Sequence, residues 1–118
     1  MTRNLALGAR GEDVAADYLT AAGFEIVARN WRCRHGELDI VARTGTTVVF
    51  VEVKTRRGHG FGTPAEAVTV AKIRKLRLLA GLWLREHGGG FTSVRVDVLA
   101  VLIEGNRVPA ITHYEAVL

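Results

Sequence analysis

The sequence predicts a single α/β domain, residues 1–118, in which a mixed β-sheet is flanked by helices. The length is near the commonest domain size, and the apolar (48%) and charged (24%) fractions are typical of a soluble globular domain. Segments with helical and β-type periodicity follow one another in the order α-β-β-β-α-β, and a short β-type segment follows them. A hairpin sheet connected through a helix to a parallel strand produces a sandwich of this class.

The N-terminal half carries one helix signal and three strand signals. Apolar residues recur every three or four positions from about residue 5 to 22, and Gly23 favours a helix end there. Alternating or continuous apolar residues predict three strands, at 24–29, 38–43 and 46–54. We expect Thr44 and Gly45 to form the turn of a hairpin between the second and third strands.

The C-terminal half predicts a second helix and a buried strand. Thr63 is expected to cap this helix, with Pro64 in its first turn and Glu66 completing a capping box. The helix should end near His87, before three consecutive glycines. Residues rich in β-branched and aliphatic side chains predict two further strands, a buried one at 94–103 and an edge strand at 108–114.

The chain carries no signal for a membrane or an oxidising compartment. It has no apolar run near the ~20 residues that span a bilayer, and Leu5-Ala6-Leu7 is too short for the core of a secretion signal. The one cysteine, Cys33, cannot form an internal disulfide. We therefore expect a cytoplasmic protein without membrane contact.

The basic excess of the chain lies in one central segment. The net charge is +4, yet residues 54–85 contain eight Lys and Arg against the single acid Glu66, and both flanking segments are slightly acidic. A local positive field of this kind suits a polyanion, of which nucleic acid is the usual one. A solvated, arginine-rich helix face explains the same charge equally well.

Asp39, Glu52 and Lys54 form the strongest candidate site. Side chains alternate across a strand, so Glu52 and Lys54 share one face, and hairpin pairing brings Asp39 to Glu52. Two carboxylates this close repel each other unless a cation or a proton neutralises them, and Mg²⁺ prefers such oxygen ligands. With a lysine alongside, these are the components of metal-assisted phosphodiester hydrolysis. The alternative is a solvent-facing Glu-Lys pair at a strand end.

Two motifs on these strands resemble a known nuclease signature. Residues 36–42 (GELDIVA) and 49–56 (VFVEVKTR) are similar to the PD-(D/E)xK motif, with the proline before Asp39 absent. From about residue 8 onwards the chain resembles the YraN family of bacterial proteins, which is related to archaeal Holliday-junction resolvases and restriction endonucleases. The resemblance implies a restriction-endonuclease-like αβββαβ core.

The resemblance also implies roles for the site residues. Asp39 and Glu52 would bind Mg²⁺, for which Mn²⁺ can substitute, together with the backbone carbonyl of Val53. Lys54 would be the catalytic lysine. Gly11-Glu12 matches the place where resolvase-like relatives supply another acid, so Glu12 is a candidate accessory catalytic acid. A rim charge on the first helix is the alternative for Glu12.

The implied activity is cleavage of DNA by a Mg²⁺-dependent endonuclease, with branched or junction DNA as the substrate. Phosphate contacts are expected from the basic segment and its glycine-rich loop, namely from Arg56, Arg57, His59, Lys72, Arg74, Lys75 and Arg77. Two alternatives are a non-catalytic DNA-binding module on a nuclease fold and an adaptor that binds an acidic protein partner. Relatives that resolve junctions work as dimers, so the resemblance also implies a homodimer.

Three further residues are singled out by their positions. Lys72 lies within the apolar stripe of the second helix, so its ammonium should either snorkel to solvent or reach the Asp39/Glu52 cluster. Asp97, on the buried strand, is expected to pair with Arg95 or with a helix. Trp31 is expected to pack at the core or its rim, and it is also available to stack on an exposed base.

Overall fold

The computed structural model describes residues 2–58 and 69–117, with side chains from residue 6, and contains a mixed sheet between two helices. In chain order the elements are α1 (Thr2–Ala21), β1 (Glu25–Cys33), β2 (Gly36–Thr44), β3 (Thr47–Arg57), α2 (Val70–His87), β4 (Ser93–Ile103) and β5 (Ala110–Tyr114). The α/β class and the αβββαβ order of a restriction-endonuclease-like core are confirmed, and β5 extends the sheet by one strand.

The sheet has the strand order β1-β2-β3-β4-β5. The first three strands form an antiparallel meander, whereas β4 pairs in parallel with β3 and antiparallel with β5. The parallel pair requires a crossover, which α2 supplies. Alternating side chains of β3 bury both faces, because Val49 and Val51 pack with α1 while Val48 and Phe50 pack with α2. The two helices therefore cover opposite faces of the central strands.

The second helix begins later than predicted. Thr69 has an extended backbone and its side chain accepts a hydrogen bond from the Lys72 N–H, which makes Thr69 the N-cap of α2. The predicted cap at Thr63, with Pro64 and Glu66, lies outside the described residues. The predicted end at His87 is confirmed: the Gly88 N–H donates to the Leu84 carbonyl, and the backbone then leaves the helix.

The hairpin between β1 and β2 extends further than predicted. β1 continues to Cys33, because Trp31 pairs with Leu38 and Arg32 pairs with Glu37 on β2. The prediction ended this strand at residue 29, where charged and polar residues interrupt the apolar pattern. This longer hairpin carries one wall of the site described below. Within the described ranges, neither helix is long and apolar enough to cross a membrane.

Candidate metal and nucleic-acid site

The candidate site lies at a fork, where β2 separates from β3. Backbone pairing between these strands ends at Ile40 and Val51, while the pairing of β1 with β2 continues to the end of the hairpin. The Asp39 carboxylate enters the fork, and its Oδ2 accepts a hydrogen bond of 2.9 Å from the Val53 N–H. The N–H and C=O of one strand residue point to the same side, so the Val53 carbonyl also points into the fork.

A local rotation of the hairpin backbone turns Asp39 into this fork. Strict alternation would place Leu38 and Ile40 on one face, but Leu38 packs in the cluster under α2 and Ile40 in the cluster under α1. The β1–β2 register puts Asn30 opposite Asp39, and Asn30 has a left-handed backbone with φ 52°. Leu38 and Ile40 therefore lie on opposite faces of the sheet, because strict alternation is broken at the Asn30 and Asp39 positions.

The electrostatics of the fork favour neutralisation of the Asp39 carboxylate. Burial and the negative charge of Glu52 raise the pKa of Asp39 from 3.8 to about 7, with further contributions from Glu12 and Glu37. The hydrogen bond from Val53 opposes this shift without cancelling it. A carboxylate with such a pKa lacks compensating positive charge in its surroundings. A divalent ion between Asp39 and Glu52 would remove the repulsion.

Two lysines lie beside Glu52. Lys54 Nζ is 3.5 Å from Glu52 Oε1, and these side chains are 19% and 21% exposed. Lys72, near the start of α2, approaches the same place. Hydrogen bonding to the Lys54 side chain, desolvation and the charge of Lys54 lower the pKa of Lys72, while Glu52 opposes this shift. Lys72 thus extends to the acidic cluster, although its side chain is exposed.

A glycine brings α1 against the end of β3 that carries the site. A Cβ atom added at Gly11 would lie 2.8 Å from Thr55 Cβ, closer than real side chains approach. Because Gly11 has no Cβ, the helix can rest directly on Thr55. This close approach places the next residue, Glu12, at the edge of the fork.

Glu12 is paired with an arginine that the sequence analysis did not single out. Arg29 Nη2 lies 3.3 Å from Glu12 Oε1 and 2.7 Å from Asp13 Oδ1. The Glu12 side chain is 12% exposed. Across residues 2–58 and 69–117, no three His, Cys, Asp or Glu side chains form a group that could hold a metal ion. The predicted accessory acid is therefore near Asp39 but engaged by Arg29.

A groove of about 1130 Å³ opens in front of the fork. Its floor includes Asp39, Val53 and Lys54, and α1 and β1 form its walls. The cationic side chains along it are Arg29, Arg32, Lys54, Arg56 and Arg57, and the acidic ones are Glu12, Asp13, Glu37 and Asp39. Of the predicted phosphate contacts, Arg56 and Arg57 therefore line the groove.

The predicted contacts on α2 divide into two groups. Lys72 lies beside Lys54 at the fork, and Lys75 lies over the start of β2, since its Cε would be 3.0 Å from a Cβ added at Gly36. Arg74 and Arg77 are exposed, and helical spacing places them away from the buried positions of α2. They do not converge on the groove. His59 lies outside the described residues.

Sequence reasoning missed the contribution of β1 to the groove. Arg29, Asn30 and Arg32 line it, yet they lie where the predicted first strand ended or beyond it. A signal was available after residue 29, where Trp31 and Cys33 alternate with the polar residues Asn30 and Arg32. If the first strand is extended to Cys33, the strand register places Arg32 opposite Glu37. In the structure these residues form an ion pair, with Arg32 Nε 2.7 Å from Glu37 Oε2.

The predicted pairing of Asp97 with Arg95 is present on β4. Asp97 is fully buried, and Arg95 donates to both carboxylate oxygens at 2.9 Å. His113 Nε2 lies 2.7 Å from Asp97 Oδ2, and the Ala116 N–H donates to Asp97 Oδ1. This cluster joins β4, β5 and the residues after β5, and it lies apart from the fork.

The fold and the fork define an α/β protein with a restriction-endonuclease-like core and an acidic fork at the end of its central strands. Residues 11–101 match the Uncharacterised protein family UPF0102, and the chain belongs to this family, also called the YraN family. The match includes Asp39, Glu52 and Lys54. The resemblance stated from the sequence is thereby confirmed.

Bacterial relatives are similar to this chain over nearly their whole length. A UPF0102 protein of Rhodococcus opacus (strain B4) is 59% identical over 113 residues, which cover 96% of each chain. A UPF0102 protein of Nocardia farcinica is 59% identical over 112 residues, or 95% of this chain and 88% of the relative. A UPF0102 protein of Mycobacterium tuberculosis (strain ATCC 25177 / H37Ra) is 51% identical over 122 residues, 99% and 94% of the two chains.

Proposed function

We propose that this protein is a metal-dependent endonuclease that hydrolyses phosphodiester bonds in DNA, with branched or junction DNA as its substrate. The observation that carries the proposal is the convergence of Asp39, Glu52 and Lys54 at the fork between β2 and β3. The groove in front of the fork, with its arginine side chains, supports a polyanionic substrate.

Mg²⁺ is the cofactor that the donor atoms of the fork fit. The Asp39 and Glu52 carboxylates and the Val53 carbonyl are hard oxygen donors, and Mg²⁺ usually takes one or two carboxylates with waters and phosphate oxygens. Burial and repulsion from Glu52 raise the pKa of Asp39, and a divalent cation would offset both effects. When bound, the ion would supply Lewis-acid activation of the phosphate and of a water. Mn²⁺ should substitute, because it accepts the same ligands.

The two lysines would act on the phosphate and on the attacking water. Lys54 lies between Glu52 and the groove, so its ammonium can donate to a water or to a non-bridging phosphate oxygen. Lys72 adds a second ammonium beside the first. A phosphate bound between them would reduce their mutual repulsion and hold the scissile group over the fork.

The arginines along the groove would hold the strand on either side of the scissile phosphate. Arg56 and Arg57 extend from the end of β3, whereas Arg29 and Arg32 on β1 are paired with acids of the groove and would have to exchange those partners for phosphates. Such phosphate contacts position the nucleic acid without reading its sequence. Affinity should therefore fall steeply as salt concentration rises.

Cleavage assays on linear, nicked and four-way-junction DNA with Mg²⁺ or Mn²⁺ test the proposal. We expect Asp39→Asn and Glu52→Gln each to abolish cleavage, because each removes a metal ligand. Lys54→Arg should impair it, since a planar guanidinium does not replace a compact ammonium. Asp17→Asn, on the exposed surface of α1, is the matched control and should cleave like the wild type. Equal cleavage by the wild type and Asp39→Asn would contradict the proposal.

A non-catalytic DNA-binding module is the second candidate. It is favoured by the ion pair of Glu12 with Arg29, which leaves two carboxylates at the fork among the described residues. This candidate predicts salt-sensitive DNA binding that weakens in Arg56→Gln and Arg57→Gln, without cleavage under any divalent ion. If DNA does not bind even at low salt, the adaptor for an acidic protein partner becomes the better explanation.

A further inference from the structure

A second pocket, here called the Trp31 pocket, lies between the β1–β2 hairpin and the C-terminal half of α2. It has a volume of about 510 Å³. Its apolar walls are formed by Trp31 and Cys33 on the hairpin and by Leu82 on α2. None of these residues takes part in the fork, and the proposed hydrolysis makes no use of them.

The ring of Trp31 is held in place by an aromatic cluster. This ring packs edge-on against His87, with centroids 6.4 Å apart and planes at 83°. His87 in turn stacks on the buried Trp83 at 4.9 Å, so the aromatic cluster is anchored in the core. The indole of Trp31 is half-buried and borders the pocket. A rigid aromatic ring beside an open pocket is the feature that stacks unpaired bases in proteins that bind single strands.

The rim of the pocket is cationic. Arg34, His35 and Arg85 border it against the single acid Glu86, and all four side chains are exposed. A nucleotide has an apolar, planar base and a negatively charged phosphate on each side. An aromatic interior with two arginines at the rim complements this combination of surfaces, whereas an apolar peptide would leave the arginines without a role.

The pocket and the groove open on opposite faces of the hairpin, and α2 leads from the fork to the pocket. Arg32 lines the groove while its neighbours Trp31 and Cys33 line the pocket. On α2, Lys75 follows Lys72 by about one helical turn and lies over Gly36. Along α2, Lys72 at the fork and Leu82 in the pocket are ten residues apart, which corresponds to about 15 Å of helix. This distance equals four to five nucleotides at the ~3.4 Å rise of a stacked strand.

We propose that the Trp31 pocket receives one unpaired nucleobase of a strand whose backbone runs from the fork along α2. The location of that strand rests on the proposed function, but the stacking of a base requires no cleavage. The pocket would favour DNA with a single-stranded branch or an unpaired base over a continuous duplex, because a paired base cannot enter it. We therefore expect the preferred substrate to be DNA with unpaired nucleotides near the cleaved bond.

Binding to branched DNA in EDTA tests the pocket separately from catalysis. The probe is a duplex with a single-stranded thymine branch that carries one 2-aminopurine at successive positions. We expect its fluorescence to be quenched at one position and the quenching to be lost in Trp31→Ala. Affinity should fall about 5- to 100-fold in Trp31→Ala and less in Trp31→Phe, which keeps a ring. Arg34→Gln should also weaken binding, whereas Arg107→Gln, on the exposed β4–β5 connection, should not.

An abasic nucleotide at the quenched position provides the decisive comparison. If the base stacks on Trp31, the abasic branch should bind the wild type as weakly as the intact branch binds Trp31→Ala, and the two losses should not add. Additive losses, or binding that is equal in wild type and Trp31→Ala, would overturn the proposal. Trp31-dependent binding without cleavage under Mg²⁺ would instead reject the endonuclease and retain the pocket.

Discussion

Asp39 and Asp97 lie in one sheet with opposite electrostatics. Asp97 is fully buried, and burial alone would raise its pKa, but hydrogen bonds from Arg95, the Ala116 N–H and His113 outweigh burial and lower it. Asp39 accepts a hydrogen bond from Val53, yet burial and the charge of Glu52 raise its pKa to about 7. The two aspartates differ in whether the protein supplies compensating charge.

The difference separates a carboxylate that stabilises the fold from one that we propose binds a metal ion. The fold brings a guanidinium and an imidazole to Asp97, which ties the last strand and the residues after it to the sheet. At the fork, the charges that raise the pKa of Asp39 are all carboxylates, and Lys54 is paired with Glu52. A buried carboxylate left under repulsion in a groove is a signature of a functional site. The predictions below test this contrast.

Removal of the Asp97 carboxylate should have the largest effect on stability. We expect Asp97→Ala to lower the free energy of unfolding by about 3–5 kcal/mol, because it leaves Arg95 and the Ala116 N–H without their buried partner. Chemical denaturation measures the change. Asp17→Ala, which alters an exposed acid of α1, should stay within about 0.5 kcal/mol of wild type. A loss below about 1 kcal/mol in Asp97→Ala would mean that the cluster does not hold β5.

Neutralisation of Asp39 should raise the stability of the protein, in contrast to the loss of the Asp97 carboxylate. In EDTA at pH 8, Asp39→Asn should raise the free energy of unfolding by about 2–4 kcal/mol, because it removes a buried negative charge and its repulsion with Glu52 and keeps an acceptor for the Val53 N–H. We also expect Mg²⁺ to raise the Tm of the wild type and to leave the Tm of Asp39→Asn unchanged. A variant that is destabilised as strongly as Asp97→Ala would show that Asp39 is a structural residue.

In EDTA, the two aspartates should have opposite effects on how stability changes with pH. The folded pKa of Asp39 is about 7 against an ordinary 3.8, so the folded protein binds an extra proton between these values. Its contribution should therefore raise stability as pH falls from about 8 to about 4. The folded pKa of Asp97 is lowered, so its stabilisation should be lost as pH falls below its ordinary range. These opposite trends should give a maximum in a plot of Tm against pH between pH 3 and 8. Asp39→Asn should abolish the fall in Tm that the wild type shows as pH rises above 5.

A smaller effect is expected where α1 contacts β3. Gly11→Ala should lower the free energy of unfolding by about 1–3 kcal/mol, because its Cβ collides with Thr55. The matched control is Gly8→Ala on the same helix, where a Cβ would meet nothing within 4 Å among the described residues. Gly8→Ala should raise stability by about 0.5–1 kcal/mol through helix propensity. Thr55→Gly should rescue Gly11→Ala, and failure of this rescue would place the strain elsewhere.

The sequence predicted more of the central strands than of the hairpin and α2. Val48 to Val51 alternate between two apolar faces, so the buried third strand follows from local pattern. The extension of β1 past Arg29 was missed, because its pairing with β2 depends on residues that are charged and polar. The start of α2 was also misplaced: Thr63 and Thr69 are both suitable caps by residue type, and Thr69 is the cap of the helix that reaches His87.

By itself the sequence determined the order of the elements, the fold class and the residues of the Asp39, Glu52 and Lys54 motif, because apolar periodicity and motif spacing are local properties of the chain. Only the tertiary structure decided that β2 leaves β3 at Ile40, that Arg29 engages Glu12 and that Lys72 reaches Lys54. These contacts join residues distant along the chain. Their geometry depends on how helices and strands pack together, which no local period encodes.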